Sequence, residues 1–429
     1  MTESIDTVIV GGGQSGLAMS AHLTAAGVAH VVLERRRIAE SWRTRRWDSL
    51  VANGPAWHDR FPILEFPQTG PDGFPPKEEV AAYFEAVARS TNAPVRTGVE
   101  VTSVTRNPGQ DGFVVETSEG AISAVNVVAA TGPFQRPIIP PLVPDDAPVL
   151  QLHSADYRNP DQLPPGGVLV VGAGSSGTQI ADELLRSGRQ VWLSIGPHNR
   201  PPRSYRGMDC TWWLGVFGEW DTPTLDPKTA HVTIAVSGAH GGTTVDFRTL
   251  AARGMTLVGM ADTYNEGCMR FAPDLARNIA AGDANYLSVL DRADAYVARN
   301  GVDLPEEPEA RVIGPDPVCV TDPVLELDLA AAGIGTVLWA TGYAMDFSWL
   351  KTDAVDAGGK PIHHRGVSPE PGNYFMGLPW LSRRASSFIF GAWQDASYLA
   401  DHIVQRQGYA DYKQSRSAGQ PRTRPSASI

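Results

Sequence analysis

The stretch VIVGGGQSGL at residues 8–17 recurs as VLVVGAGSSG at residues 168–177. Each reads as an apolar strand, a glycine turn and the opening of a helix. In that context the first glycine makes the tight turn, and the second lets a pyrophosphate approach the backbone. The third lets the helix pack closely on its strand, with its first amides aimed at the phosphates. One such motif alone is a weak signal. Two in sequence, each with its own downstream Ala-Thr-Gly (130–132 and 340–342), imply two dinucleotides and electron transfer between them.

The ends of the second strands separate the two sites. After Gly11, Gly13 and Gly16, the strand Ala29–Leu33 closes on Glu34, where a carboxylate can accept both hydroxyls of an adenosine ribose such as that of FAD. After Gly172, Gly174 and Gly177, the strand Gln190–Leu193 ends in Ser194 without an acid, and His198, Arg200 and Arg203 follow. Guanidinium groups there suit a 2′-phosphate, so the second site is expected to prefer NADPH over NADH.

The expected architecture is α/β, with two dinucleotide-binding, Rossmann-like domains. A discontinuous FAD domain (1–165 and 331–408) surrounds an inserted NADPH domain (166–330), and the tail 409–429 is expected to be disordered. Its 429 residues suit two or three domains. A net charge of -11 argues against nucleic-acid binding. Cys210, Cys268 and Cys319 lie far apart without CxxC spacing, which excludes an in-chain redox dithiol and a cysteine metal site. No leader peptide and no apolar run of membrane-spanning length is visible, so a cytoplasmic protein is expected.

Elsewhere the spacing predicts helices over 15–26, with Gly27 as C-cap, and over 77–90, 272–300 and 395–406. Strands at 99–104 and 112–116 form a small antiparallel excursion. The arginines between Arg35 and Trp47 are expected to be mostly solvated, with one or two reaching FAD. The aromatic run Trp212–Trp220 suits core packing first, then a substrate tunnel or a homodimer contact.

In motif order the chain resembles the flavin-containing monooxygenases, the single-component class that includes plant YUCCA-type and Baeyer–Villiger enzymes. The resemblance rests on GGGQSG, Glu34-Arg35, Trp42 in IAESW, Asn53 in LVANGP, VAATG, HSADY, GAGSSG and the late ATGY. It implies an enzyme in which NADPH reduces FAD, O₂ forms a flavin peroxide, and one oxygen atom enters a small organic substrate. With the reading of the residues, it places FAD contacts at Gly11, Gly13, Ser15, Gly16, Glu34, Arg35, Trp42, Val101, Thr131, Gly132 and Asp395. NADPH contacts fall at Gly172, Gly174, Ser175, Ser176, Gly177, Ser194, Arg200 and Arg203. Ala340, Thr341 and Gly342 join the two domains, and the segment 379–403 closes over the flavin. Asn53 matches the family's asparagine beside the oxygen-reactive carbon, although an ordinary turn residue before Gly54-Pro55 fits as well. No metal is implied.

The family's linker pattern is incomplete, since only His153 and Tyr157 stand and Arg158 replaces the proline of the Baeyer–Villiger form. His153 reads as a structural linker residue. N-, S- or heteroaromatic oxygenation is the leading expectation, with Baeyer–Villiger ketone oxygenation behind it. An NADPH oxidase or diaphorase, and a regulatory or ion-transport-associated flavoprotein without fast turnover, are the rivals.

Overall fold

The computed structural model describes residues 3–109, 111–223 and 233–417. Its first sheet is built on Glu3–Val10, whose residues from Thr7 onward are buried on both faces, as befits a central parallel strand. His30–Glu34 lies parallel on one side of it and Gly120–Ala129 on the other, with Val95–Thr97 beyond His30–Glu34. The long strand 120–129 forks. Its first half pairs antiparallel with Phe113–Thr117, which continues to Val101–Arg106, and its second half pairs parallel with Asn373–Phe375. The predicted excursion is thus an arm of the main sheet.

The second sheet has five strands, all parallel, in the order Thr256–Val258, Val191–Ser194, Gly167–Val171, Ile334–Trp339 and Leu150–His153. This corrects the expected boundaries at 165 and 331. The strands 150–153 and 334–339 belong to the second sheet, because their backbone pairs are satisfied there. The chain crosses between sheets twice, and the crossings run side by side as Arg136–Pro137 against Tyr343–Ala344.

Both glycine-initiated helices end alike. Gln14–Ala25 is closed by Gly27 (φ +72), with Val28 N–H donating to Leu23 O at 3.0 Å. Ser175–Arg186 is closed by Gly188 (φ +84), with Arg189 N–H donating to Leu184 O at 3.1 Å. A left-handed residue after the last turn is most easily a glycine. Lys77–Ser90 is amphipathic as predicted and buries Val80, Phe84 and Val87 against the first unit.

Leu275–Asn300 carries a satellite core in which Trp213, fully buried, donates its indole N–H to Tyr205 O at 2.9 Å. Trp212 and Phe217 join that core, so most of the aromatic run is packing. The C-terminal helix corrects two expectations. It runs over Ile389–Ser417, starting before Asp395 and continuing through the first nine residues of the tail expected to be disordered; residues 418–429 lie outside the described residues. Backbone hydrogen bonding propagates from the packed turns at Ala392, Ala396 and Leu399 once they are nucleated.

Candidate active site

Both glycine loops open onto one cavity of about 2140 Å³ between the sheets. A single drug-sized ligand needs roughly 300–1,000 Å³, so there is room for two dinucleotide-sized ligands.

The first loop is shaped for a phosphate. Gly11 sits at φ +112, where a Cβ would lie 2.7 Å from Ala130 O, and one on Gly16 would lie 1.9 Å from Gly11 O. Gly13 is the opposite case, since a Cβ there meets nothing within 4 Å. The first glycine is held by strand crossing, the third by helix packing, and the middle one leaves an open approach. The helix that follows has no side-chain cap, so its first-turn amides remain for an anion. Glu34 is oriented by two backbone donors, Gly12 N–H to Oε2 at 2.8 Å and Arg36 N–H to Oε1 at 2.9 Å. Each carboxylate oxygen keeps a further acceptor site. Ser15, Arg35, Trp42, Val101, Thr131 and Gly132 all line the same cavity. These features fit an FAD adenosine diphosphate.

The second loop repeats the geometry, with Gly172 at φ +106 and a Gly177 Cβ falling 1.8 Å from Gly172 O. Its approach is narrower. Thr233 Cγ2 lies 2.7 Å from where a Gly174 Cβ would be, and the Ser175 hydroxyl donates to Ile234 O at 2.9 Å. Ser176, Ser194, Ala340, Thr341 and Gly342 also line the cavity.

Two expected cofactor residues are not at the cavity wall, and a third is not where a helix start would put it. Arg200 is 4% exposed and donates through Nε (3.1 Å) and Nη2 (2.5 Å) to Asp283 Oδ1. Arg203 is 2% exposed and forks onto Asp209, with Nη1 donating to Asn53 O at 2.6 Å. Buried guanidinium groups need carboxylate partners, and both have found them inside the protein. Asp395 is buried one and a half turns into its helix, accepting from Ser382 Oγ at 2.5 Å, and does not line the cavity. The helix start at Ile389 does line it.

Asn53 sits where the two units meet. Gln179 Nε2 donates to Val236 O at 3.1 Å, and that carbonyl can only accept, which identifies the Gln179 nitrogen. The same nitrogen donates to Asn53 Oδ1 at 2.8 Å, so the Asn53 amide is turned with its oxygen toward Gln179. Its Nδ2 donors have no partner among the described residues, and Asn53 lines the cavity.

His153 joins the linkers. Its Nδ1 accepts from Ala155 N–H at 3.0 Å, which leaves Nε2–H to donate to Gly342 O at 3.0 Å. Burial holds the imidazole below its ordinary range, so it is a neutral joint.

The sequence reading passed over His58 and Asp59. His58 Nδ1 donates to Asp59 Oδ1 at 2.9 Å, and Asp59 Oδ2 accepts from Gly54 N–H at 3.2 Å. The His58 ring lies 4.0 Å from Phe390 and 5.3 Å from Trp220, centroid to centroid. His58, Trp220 and Phe388 line the same cavity as Asn53 with an aromatic wall, and Asp59 lines it too. An adjacent His-Asp pair five residues after Asn53 was the available signal. Among the described residues there is no metal-binding cluster and no helix long and apolar enough to cross a membrane.

A family profile described as pyridine nucleotide-disulphide oxidoreductase matches residues 8–206. The chain is 32% identical over 408 residues to an uncharacterized CzcO-like oxidoreductase of Geobacillus kaustophilus, covering 94% of this chain and 99% of that protein. It is 33% identical over 436 residues to the indole-3-pyruvate monooxygenase YUCCA4 of rice (Oryza sativa subsp. japonica), covering 96% of this chain and 90% of that protein. Among solved structures, a flavin-containing monooxygenase of Stenotrophomonas maltophilia superposes with a TM-score of 0.65 at 20% identity, over 94% of this chain and 99% of that one.

Proposed function

The chain belongs to the class B flavin monooxygenases, a family of flavoprotein oxidoreductases, and from that premise we propose that it binds FAD at Gly11–Gly16 and a reduced nicotinamide dinucleotide, NADPH included, at Gly172–Gly177. On this reading it inserts one oxygen atom from O₂ into a small organic substrate. The observation that carries the proposal is that both glycine loops open onto a single cavity. Two dinucleotides held at these loops would share that one cavity. Bound FAD supplies the redox chemistry, accepting hydride and activating O₂.

The protein's part is binding, orientation and exclusion of water. Gly13 leaves the path for a pyrophosphate, the uncapped helix start supplies N–H donors, and Glu34 accepts from ribose hydroxyls. Asn53 offers amide N–H groups, which hydrogen-bond a reduced oxygen species without surrendering a proton. The cavity wall of Trp220, Phe388 and His58, backed by Phe390, suits an aromatic or otherwise apolar nucleophile. This favours heteroaromatic or sulfur and nitrogen substrates, and the rice relative is named for an indole compound.

The test is a substrate panel supplied with ¹⁸O₂ and reduced nicotinamide, with products read by mass spectrometry. One labelled oxygen per product is expected for at least one class. Stoichiometric hydrogen peroxide with every class would replace this reading by that of an oxidase.

A further inference from the structure

The adenosine end of the second site carries no charge of either sign. The strand Val191–Ser194 ends on a serine whose hydroxyl is already used, donating to Gly259 O at 2.9 Å and accepting from Ala261 N–H at 3.1 Å. None of the three cationic candidates downstream offers the cavity a charge: Arg200 and Arg203 do not line it, and His198, which does, is held neutral with its ring nitrogens turned away. Arg200 is committed to Asp283 and stacked over the Tyr286 ring at 4.7 Å. Arg203 is committed to Asp209 and Asn53 O, over the Phe74 ring at 4.9 Å. His198 donates from Nδ1 to Gly196 O at 3.0 Å, and its Nε2 packs against Gly282 on the helix behind it. Burial keeps that imidazole neutral.

Beside that neutral imidazole, this end of the cavity is lined by Gly196, Pro197, Asn199, Met260 and Ala261. The other guanidinium groups lining the cavity lie elsewhere. Arg35, Arg36, Arg45 and Arg46 come from the first stretch of chain and Arg136 from the crossing strand, while Arg292 and Arg384 are both paired with Glu219. Arg292 stands ten residues beyond Gly282 along one helix, about 15 Å away at 1.5 Å per residue.

We propose that the second site does not discriminate on the ribose 2′-phosphate and takes NADH as well as NADPH. A carboxylate at the strand end would repel the phosphate, and a guanidinium fork would capture it; this chain presents neither. The inference rests on the reading that Gly172–Gly177 holds a nicotinamide dinucleotide.

Equilibrium binding separates the two claims. FAD-loaded protein is titrated calorimetrically with NAD⁺ and with NADP⁺, which requires no substrate and no turnover. Dissociation constants within about threefold of each other are expected, whereas even one charged contact to the phosphate separates them by about tenfold or more. Pro197→Arg adds a guanidinium at an exposed position of the cavity wall and is expected to tighten NADP⁺ about tenfold, with NAD⁺ unchanged. Wild-type binding of NADP⁺ more than tenfold tighter than NAD⁺ overturns the inference alone. If neither nucleotide binds while FAD stays bound, the underlying reading falls and the inference with it.

Discussion

Replacing Gln179 with Glu reverses one amide without touching the cavity wall's shape. In the native protein Gln179 Nε2 donates to both Asn53 Oδ1 (2.8 Å) and Val236 O (3.1 Å). An ionised glutamate has no donor, so it repels both oxygens, and Asn53 relieves its share by turning Nδ2 inward. The cavity then faces Oδ1, and the hydrogen bond offered to reduced oxygen is lost as surely as in Asn53→Ala. One such bond is worth about 1–1.5 kcal/mol, or about a five- to tenfold change in a rate that depends on it. The assay needs no substrate: hydrogen peroxide release in air, beside anaerobic flavin reduction by stopped-flow. Both variants are expected to release peroxide about five- to tenfold faster, with flavin reduction changed less than about twofold. If Asn53→Ala leaks peroxide and Gln179→Glu does not, Gln179 does not set the amide's direction. If neither leaks, Asn53 is a turn residue before Gly54-Pro55 and nothing more.

Gly13→Val is expected to fold with an unchanged circular dichroism spectrum yet carry no FAD, since a Cβ there meets nothing within 4 Å and the side chain projects into the open cavity; retained yellow colour would contradict the cradle. Gly16→Ala, facing Gly11 O at 1.9 Å, is expected instead to lower the melting temperature or abolish folding. Arg203→Ala takes the guanidinium from the half-buried Asp209, which keeps its Thr211 donors, and leaves the Asn53 carbonyl unpaired, costing about 1–3 kcal/mol of stability; calorimetry should show the loss, with NAD⁺ and NADP⁺ affinities changed alike. Burial holds His30, His153 and His198 below the ordinary value of 6.5. The unfolded chain therefore binds more protons as pH falls through that value, and stability drops by about 1.4 kcal/mol per pH unit for each histidine kept neutral; denaturant titrations at pH 7.5 and 5.5 would measure it.

What the sequence revealed was local. Gly11, Gly16 and Gly27 are demanded by contacts or dihedral angles within one motif, so spacing was enough to find them. The helix Lys77–Ser90 follows from its own periodicity. The strands 150–153 and 334–339 declare their sheet only through pairing across more than 160 residues, which no window captures. Arg200 is 83 residues from Asp283, so its neutralisation was hidden, whereas Asp209 stood six residues from Arg203 in plain view. The segment after Gly408 lacks apolar residues to pack, as composition said, but its helix to Ser417 extends one nucleated elsewhere. His58 and Asp59 became a site feature only when Phe390, from the far end of the chain, closed against them.

Two dinucleotides bound at the two glycine loops would exchange electrons inside one cavity. Anaerobic mixing of the purified, FAD-loaded protein with reduced nicotinamide, read at the flavin's visible absorbance, tests it most directly. The wild type should bleach rapidly, while Gly174→Val should keep its FAD, remain reducible by dithionite and fail to bleach with nicotinamide. Flavin that the nicotinamide cannot reduce in the wild type, or reduces equally well in Gly174→Val, would contradict the claim.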